Sequence, residues 1–197
     1  MNHDTVRRDA IVIGGSAGAL EVLMGLLPIL PAGLRACVLI VLHVPRNKPS
    51  LLVDIFAPRC ALPVSEACDG APLAPGTVVV APPDYHVLVD TGPRISLSID
   101  APVHYSRPSI DVLFESAADT FGPHLVGMLL SGANADGARG MAAIERCGGM
   151  TMVQAPHSAL VPVMPLAALG SVACPSHTAP PDQLAEILVD MHLRSLL

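Results

Sequence analysis

Tryptophan is missing from this sequence, and aromatic residues of all kinds make up only 3% of its 197 residues. Lysine occurs once, and the formal net charge is −6. Proteins that bind nucleic acids normally present a basic surface, often with aromatic side chains on which bases stack. The composition therefore argues against a nucleic-acid partner.

Long uninterrupted apolar runs are also missing, although the mean hydropathy is high, at +0.55. A transmembrane helix needs roughly 18 to 20 successive apolar residues. The best candidate, residues 20–44, is interrupted by two prolines and by two charged side chains. We therefore predict no membrane span. We also predict no export signal, because Asp9 interrupts the junction between the N-terminal arginine pair and the first apolar run.

The five cysteines show no C-x-x-C spacing, so neither a disulfide framework nor a zinc site is indicated. Reduced thiols in a cytoplasmic protein explain them most simply. The histidines show no metal-ligand spacing such as H-E-x-x-H, and there is no Walker A lysine. A dinucleotide site would need glycine in place of Ser16. We expect no metal and no cofactor.

Buried apolar runs alternate with helical patterns along the chain. Residues 10–15, 36–42 and 125–130 read as buried strands, and runs of this kind are typical of parallel sheets covered on both faces. The predicted fold class is α/β, a doubly wound, mostly parallel sheet with helices on both faces. A Gly92-Pro93 turn between two strand patterns predicts a small antiparallel β insertion near 77–100.

Helix patterns follow several of these runs, over residues 20–30, 138–147 and 182–193. Another helix begins after Arg107-Pro108-Ser109. Its three charges are predicted to mark its solvent-exposed face, and they are Asp111, Glu115 and Asp119. We expect residues 1–9 to be an N-terminal extension and residues 10–197 to form one domain.

A short run of small residues follows the first predicted strand. Gly14-x-Ser16-x-Gly18 matches the pattern of a nucleophile elbow, a sharp strand-to-helix turn on which a serine hydroxyl stands clear of the backbone. The helix that follows would direct N–H groups at the oxyanion formed during ester hydrolysis. The same pattern occurs in glycine-rich turns whose serine only caps the next helix, and that interpretation stays open here.

Histidine and aspartate follow two other predicted strands. His43 comes directly after residues 36–42, and Asp136 lies in the loop after residues 125–130. Parallel strands end at the same edge of a sheet, so we expect both side chains to lie near Ser16. A histidine that takes the serine proton and a carboxylate that orients the imidazole complete a catalytic triad. His43 as a loop histidine and Asp136 as the cap of the following helix are the alternatives.

The turn at Ser16 is one of five segments that share a resemblance. They are Ile13-Gly14-Gly15-Ser16-Ala17-Gly18, His43-Val44-Pro45, Asp69-Gly70-x-x-Leu73-x-Pro75-Gly76, Arg107-Pro108-Ser109-Ile110-Asp111-Val112-Leu113-Phe114 and Ser131-Gly132-Ala133-Asn134-Ala135-Asp136-Gly137-Ala138-x-Gly140-Met141. On these segments the chain resembles, from about Ala10 to Val189, the catalytic domain of the chemotaxis receptor methylesterases, known as CheB. Such a domain is a doubly wound α/β serine hydrolase.

The resemblance implies hydrolysis of glutamyl methyl esters on chemoreceptor helices, and also deamidation of glutamines there, with neither a metal nor an organic cofactor. It implies Ser16 as nucleophile, His43 as general base and Asp136 as the residue that orients it. The candidate oxyanion and substrate-binding residues are Ala17, Ala133 and Met164. The implied partners are the cytoplasmic helices of methyl-accepting chemoreceptors and a separate phospho-signalling protein, since no receiver domain precedes residue 10 in this sequence.

The chain departs from the family pattern at seven positions, which are Ala17 (usually threonine), Ala19 (glycine), Leu42 (glutamine), Ala133 (methionine), Pro162 (an aromatic residue), Val163 (glycine) and Leu166 (arginine). A catalytically weak paralogue that acts as a signalling binding module, or as an esterase on a different substrate, is therefore the alternative function. Four basic residues near the predicted site are candidates to contact an acidic receptor helix, namely Arg46, Lys48, Arg107 and Arg139.

Overall fold

The computed structural model describes residues 6–44 and 50–197. Within these residues the chain forms seven parallel strands in one sheet, two antiparallel strands in a second sheet, and six α-helices. The strands are β1 (Ala10–Gly15), β2 (Cys37–Leu42), β3 (Val64–Glu66), β4 (Val78–Val80), β5 (His86–Asp90), β6 (Arg94–Ser98), β7 (Leu125–Leu129), β8 (Met150–Gln154) and β9 (His177–Ala179). The helices are α1 (Ala19–Leu26), α2 (Leu52–Phe56), α3 (Ile110–Phe121), α4 (Ala138–Arg146), α5 (Val163–Ser171) and α6 (Pro181–Leu193).

The main sheet has the strand order β3-β4-β2-β1-β7-β8-β9. Its central strands β1, β2 and β7 are buried along their whole length, as expected for apolar strands covered on both faces. Gly15 pairs with Leu42 on one side of β1, and Gly14 pairs with Leu129 on the other side. The three strands therefore end level with one another, and the residues that follow them meet at a single edge.

Helices cover both faces of this sheet. One hydrophobic core lies between the sheet and helices α1, α2 and α6, and the other lies between the sheet and helices α3, α4 and α5. The β5–β6 hairpin packs on the second face, where β5 contacts α3. The doubly wound α/β fold and its small antiparallel element, both predicted from the sequence, are confirmed.

Several details differ from the sequence prediction. Val78–Val80 was expected within the antiparallel insertion, but it pairs with β2 as a parallel strand, so the antiparallel element begins at His86. The short strands β3 and β9 were not predicted, because three-residue strands carry no recognisable periodicity. The helix α5 was not predicted either. Asp111 was placed on the exposed face of its helix, which is wrong, since it is fully buried.

The N-terminal residues that the structure describes are tied to the domain. The N–H of Arg8 donates to the carbonyl of Leu196 at 2.7 Å, and its buried guanidinium donates to the carbonyl of Pro123. Among the described residues, none of the helices has both the length and the apolar character needed to cross a membrane.

Candidate active site

Ser16 follows β1 directly, at the point where the chain turns into α1. Its N–H donates to the carbonyl of Ser131 at 2.9 Å, and its carbonyl accepts the N–H of Ala19 at 3.0 Å. The side chain is half-buried, and no described residue makes a hydrogen bond with its hydroxyl. The helix cap of α1 is Gly18 rather than Ser16. The turn therefore presents this hydroxyl at the sheet edge without giving it a capping role.

Gly18 makes this sharp turn possible. Its φ angle is +85°, a left-handed conformation that side chains with a Cβ rarely adopt. A Cβ on Gly18 would also lie 2.6 Å from the Cβ of Leu160 and 3.0 Å from the Oγ of Ser131. The turn at Ser16 is thus packed closely against two other segments of the same edge.

His43 and Asp136 are brought into contact as expected. The N–H of His43 donates to the carbonyl of Gly15 at 3.2 Å, so His43 is the lateral neighbour of Ser16. Its ring nitrogen Nε2 lies 2.8 Å from Oδ2 of Asp136. Because an ionised carboxylate accepts only, Nε2 carries the proton and Nδ1 is left as the basic nitrogen. This Nδ1 also lies 3.4 Å from the hydroxyl of Ser106.

Four donors converge on the carboxylate of Asp136, which is fully buried. Besides His43, it accepts the hydroxyl of Ser109 at 2.8 Å, the N–H of Ile110 at 2.8 Å and the N–H of Asp111 at 3.0 Å. Burial alone would raise the pKa of this carboxyl, but the hydrogen bond from His43 and those from the α3 backbone and Ser109 outweigh it, so the pKa lies below its ordinary value. Asp136 is therefore held as a carboxylate.

Asp136 caps a helix, although not the one considered from the sequence. The N–H groups it accepts belong to the first turn of α3, whereas the helix that follows it, α4, is capped by Asp111. Oδ1 of Asp111 accepts the N–H of Gly137 at 2.9 Å and the N–H of Gly140 at 2.8 Å. Asp136 thus caps α3, the helix that carries Asp111, and Asp111 caps α4, the helix that directly follows Asp136. Both favour the positive ends of helix dipoles.

Sequence reasoning missed three side chains that support this arrangement. The hydroxyl of Ser109 was read only as part of a helix start, and Ser106 was not considered. His86 is buried, its Nδ1 accepts the N–H of Ser109 at 3.1 Å, and its Nε2 lies 3.2 Å from the carbonyl of Ala101. The Arg-Pro-Ser segment was the available signal for Ser109, but no local pattern connects His86 to it.

The three candidate oxyanion and substrate-binding residues lie in different environments. Ala17 and Ala133 are exposed, and within residues 6–44 and 50–197 nothing accepts a hydrogen bond from their N–H groups. Met164 is fully buried; its N–H donates to the carbonyl of Gly132 at 2.9 Å. Its side chain fills the space that a Cβ on Gly132 would occupy. Met164 thus supports the Ala133 loop from behind.

The basic residues predicted near the site are largely engaged within the protein. The guanidinium of Arg107 donates to Asp84 at 2.8 and 3.0 Å and to two backbone carbonyls. Arg139 is ion-paired with two carboxylates of α3. Arg46 and Lys48 lie outside the described residues. No cluster of three potential metal-binding His, Cys, Asp or Glu side chains occurs in the described ranges.

A buried carboxylate bonded to a histidine, beside a serine on a strand-to-helix turn at the carboxyl edge of a parallel sheet, is the arrangement typical of serine hydrolases. Comparison with known proteins assigns the chain more closely. Residues 11–188 match the family model described as CheB methylesterase. The chain belongs to the CheB methylesterase family, which confirms the resemblance found in the sequence.

Relatives of two lengths are similar to this chain. A protein of Leptospira interrogans, provisionally named a protein-glutamate methylesterase/protein-glutamine glutaminase, is 35% identical over 95% of this chain and 97% of its own length. The protein-glutamate methylesterase/protein-glutamine glutaminase of Symbiobacterium thermophilum is 40% identical over 82% of this chain but only 45% of its own length. The Leptospira relative therefore has the same extent as this chain, whereas the Symbiobacterium protein is much longer.

A solved structure shares the fold. The crystal structure of the Thermotoga maritima CheB methylesterase catalytic domain matches with a TM-score of 0.87 and 26% sequence identity. The match covers 94% of this chain and 100% of that domain. Nearly every element described above therefore has a counterpart in that domain.

Proposed function

We propose that this protein is a serine hydrolase that removes methyl groups from glutamyl methyl esters of chemoreceptors, and that it also deamidates glutamines. The names of its relatives and its family membership support this activity. The observation that carries the proposal is the 2.8 Å contact between His43 and the fully buried Asp136, at the edge where Ser16 stands.

The first step is attack by Ser16 on the ester carbonyl. Nδ1 of His43 accepts the serine proton, and Asp136 stabilises the imidazolium through Nε2. Nucleophile and base directly follow adjacent, level strands, and catalytic hydrogen bonds of this kind often form only when substrate is bound. The hydroxyl of Ser106 lies 3.4 Å from the same nitrogen.

The oxyanion formed by this attack needs hydrogen-bond donors that are not already used. The N–H groups of Ala17 and Ala133 meet that requirement, because none of the described residues accepts from them. Ala17 precedes the N-terminus of α1, whose dipole also favours negative charge. One such donor typically contributes about 2.7 to 4 kcal/mol to the transition state.

His43 then protonates the leaving group, so that methanol departs and an acyl-enzyme remains on Ser16. Water, deprotonated by His43, attacks the acyl carbonyl, releases the glutamate carboxylate and restores the serine hydroxyl. With a glutamine side chain the leaving group is ammonia and the remaining steps are the same. Neither sequence of steps changes an oxidation state.

A chemoreceptor substrate also implies a cellular location and a partner for the enzyme. We place the protein in the cytoplasm, where the signalling helices of chemoreceptors lie, and we propose a separate phospho-signalling protein as a regulatory partner. The family match and the predicted reduced cysteines support this location.

The test is methanol release from methylated fragments of a chemoreceptor signalling domain, measured for the protein and for its Ser16→Ala variant. Release by the intact protein that falls roughly 10⁶-fold in the variant supports both the activity and the nucleophile. Absence of release from both would contradict the proposed function and favour a binding module or a different ester.

A further inference from the structure

Exposed apolar residues surround the turn that carries Ser16. We call them the rim patch, and they are Ala17, Ala133, Leu160, Val163 and Leu166. The larger three are 77%, 47% and 54% exposed, in the order Leu160, Val163 and Leu166. Single apolar side chains on a surface are ordinary, but a cluster beside a reactive group marks a binding surface.

Hydrogen bonds fix the rim patch to the turn at Ser16. The Oγ of Ser131 donates to the carbonyl of Ala17 at 2.6 Å and accepts the N–H of Val161 at 2.9 Å. The N–H of Gly132 donates to the carbonyl of Val161 at 3.0 Å. The three segments that carry the patch are therefore joined into one surface, with Leu160 packed over Gly18.

The patch extends from the serine along a helix. Val163 and Leu166 are three residues apart at the start of α5, a spacing that places them on the same helical face. Leu160 precedes α5 in the chain and lies against Gly18, in the turn that carries Ser16. A substrate segment that reaches Ser16 from the side of α5 would therefore contact the patch.

Among the described residues, no basic side chain predicted near the site is left without a carboxylate partner. Arg107 and Arg139, the two described basic residues of the predicted site, are already held by carboxylates within the protein. An acidic substrate residue placed against Leu160 and Leu166 would lose water without gaining a cation. An aliphatic residue in the same place would instead remove apolar surface from water.

We propose that the rim patch is a specificity surface for a helical substrate segment that carries an aliphatic residue one helical turn away from the glutamyl methyl ester. Leu160 and Leu166 contact that aliphatic residue. The proposal rests on the proposed function, because it assigns the ester to Ser16, and it adds the chemistry of the neighbouring substrate residue.

The experiment uses two synthetic helical peptides of about 20 residues, long enough to be helical on their own. Both carry one glutamyl methyl ester, and they differ only in having leucine or glutamate four residues away. Dissociation constants are measured by fluorescence anisotropy on the Ser16→Ala protein, so that the ester is not consumed. Turnover of the same peptides is measured with the protein that retains Ser16.

Two patch variants and one control are made in the Ser16→Ala background. Leu160→Asn and Leu166→Asn replace exposed leucines in the patch, and Leu193→Asn replaces a leucine on α6 that is 76% exposed and lies outside it. We expect the leucine peptide to bind about 10-fold more tightly than the glutamate peptide. The ratio of the dissociation constants of the two peptides should fall toward 1 in both patch variants and stay near 10 in Leu193→Asn.

The outcomes separate this inference from the proposed function. Equal binding of the two peptides, or a preference that survives both patch variants, overturns the inference even if both peptides are hydrolysed. A preference that depends on the patch, without turnover by the intact protein, supports the inference and overturns the proposed function. Light scattering is used to look for dimers. Concentration-dependent dimers that Leu160→Asn abolishes would show that the patch is a contact between two copies of the chain, and this result would also overturn the inference.

Discussion

The two sides of the site at the sheet edge differ in chemical character: one is polar and buried, and the other is apolar and exposed. On one side His43, Ser109, Asp111 and Asp136 form what we call the polar cluster, in which each carboxylate is buried and fully hydrogen-bonded. On the other side lies the rim patch, with exposed apolar side chains beside two N–H groups that no described residue uses. The carboxylates of the polar cluster have their hydrogen-bond partners within the chain, whereas the rim patch has apolar side chains and N–H groups available to a substrate.

This difference follows from what each side has to do. A base must be oriented before substrate arrives, and preorganised hydrogen bonds achieve that without later reorganisation. A surface that recognises substrate must keep its binding groups available. Residues of the polar cluster should therefore affect both stability and rate, and residues of the rim patch should affect binding and rate while stability changes little.

Asp136→Asn should produce the largest change on the polar side. An amide in place of the carboxylate leaves the imidazole in the wrong tautomer, which lowers kcat roughly 10⁴-fold in serine hydrolases. The amide NH₂ would also face a donor, so we expect a loss of roughly 1 to 3 kcal/mol in the free energy of unfolding.

Kinetics on methylated receptor fragments and urea unfolding test both effects, with Ser16→Ala as the comparison. Ser16 makes no side-chain hydrogen bond with the described residues, so Ser16→Ala should unfold almost as the unmodified protein does. Equal destabilisation by both substitutions would contradict the distinction between the two sides.

Gly18→Ala should disturb the turn that joins the two sides. Alanine at φ +85° costs about 1 to 3 kcal/mol, and its methyl group would collide with Leu160. A displaced Ser16 and Ala17 N–H should lower kcat by roughly 100-fold. Thermal unfolding and kinetics measure the two effects.

Gly25→Ala is the matched control for Gly18. Gly25 lies in α1, is exposed, and has open space where a Cβ would be added. Alanine there should stabilise the helix by roughly 0.5 to 1 kcal/mol and leave kcat unchanged. A similar loss of activity in both variants would show that the position of the turn is not what matters.

Asp111→Asn should sharpen the comparison by weakening the polar cluster without touching the proposed triad. The new amide nitrogen would point a donor at Gly137 and Gly140 or at Arg139, which all donate to Asp111. We expect kcat to fall roughly 10- to 100-fold, with a small decrease in melting temperature. Asp119 is an exposed carboxylate on the same helix, and the control variant Asp119→Asn should keep the kcat of the unmodified protein.

Acid should remove the contribution of the polar cluster to stability. Because the pKa of Asp136 is lowered in the folded state, its stabilising contribution is present above the ordinary value of 3.8 and is lost as the pH falls through the lowered pKa. The difference in unfolding free energy between the protein and Asp136→Asn should therefore narrow below about pH 4. Urea titrations from pH 3 to 7 check this expectation, and a constant difference would contradict it.

Much of the site was predictable because strand ends and glycine turns are local signals. Ser16 and His43 directly follow buried apolar runs, and parallel pairing of those runs leaves little freedom in where they meet. Val78–Val80 was misplaced because the same apolar triplet suits parallel and antiparallel pairing, and only the partner strand β2 decides between them.

Asp111 shows what local patterns miss. A carboxylate in the first turn of a helix usually faces water, and its burial here depends on the N-terminus of α4, which is distant in sequence. The link from His86 to Ser109 depends on tertiary packing in the same way. The catalytic assignment of Ser16, His43 and Asp136 stays a prediction until the variants are measured.

The exchange of caps between α3 and α4 also has a practical consequence for isolating targets of the enzyme. An inactive protein that still binds its target must keep its structure, and removal of the Asp136 carboxylate would leave the first turn of α3, Ser109 and His43 without their acceptor. Removal of the Ser16 hydroxyl leaves the hydrogen bonds of Asp136 in place. Ser16→Ala is therefore the variant to use for capturing receptor fragments, because a variant at Asp136 would lose both binding and stability.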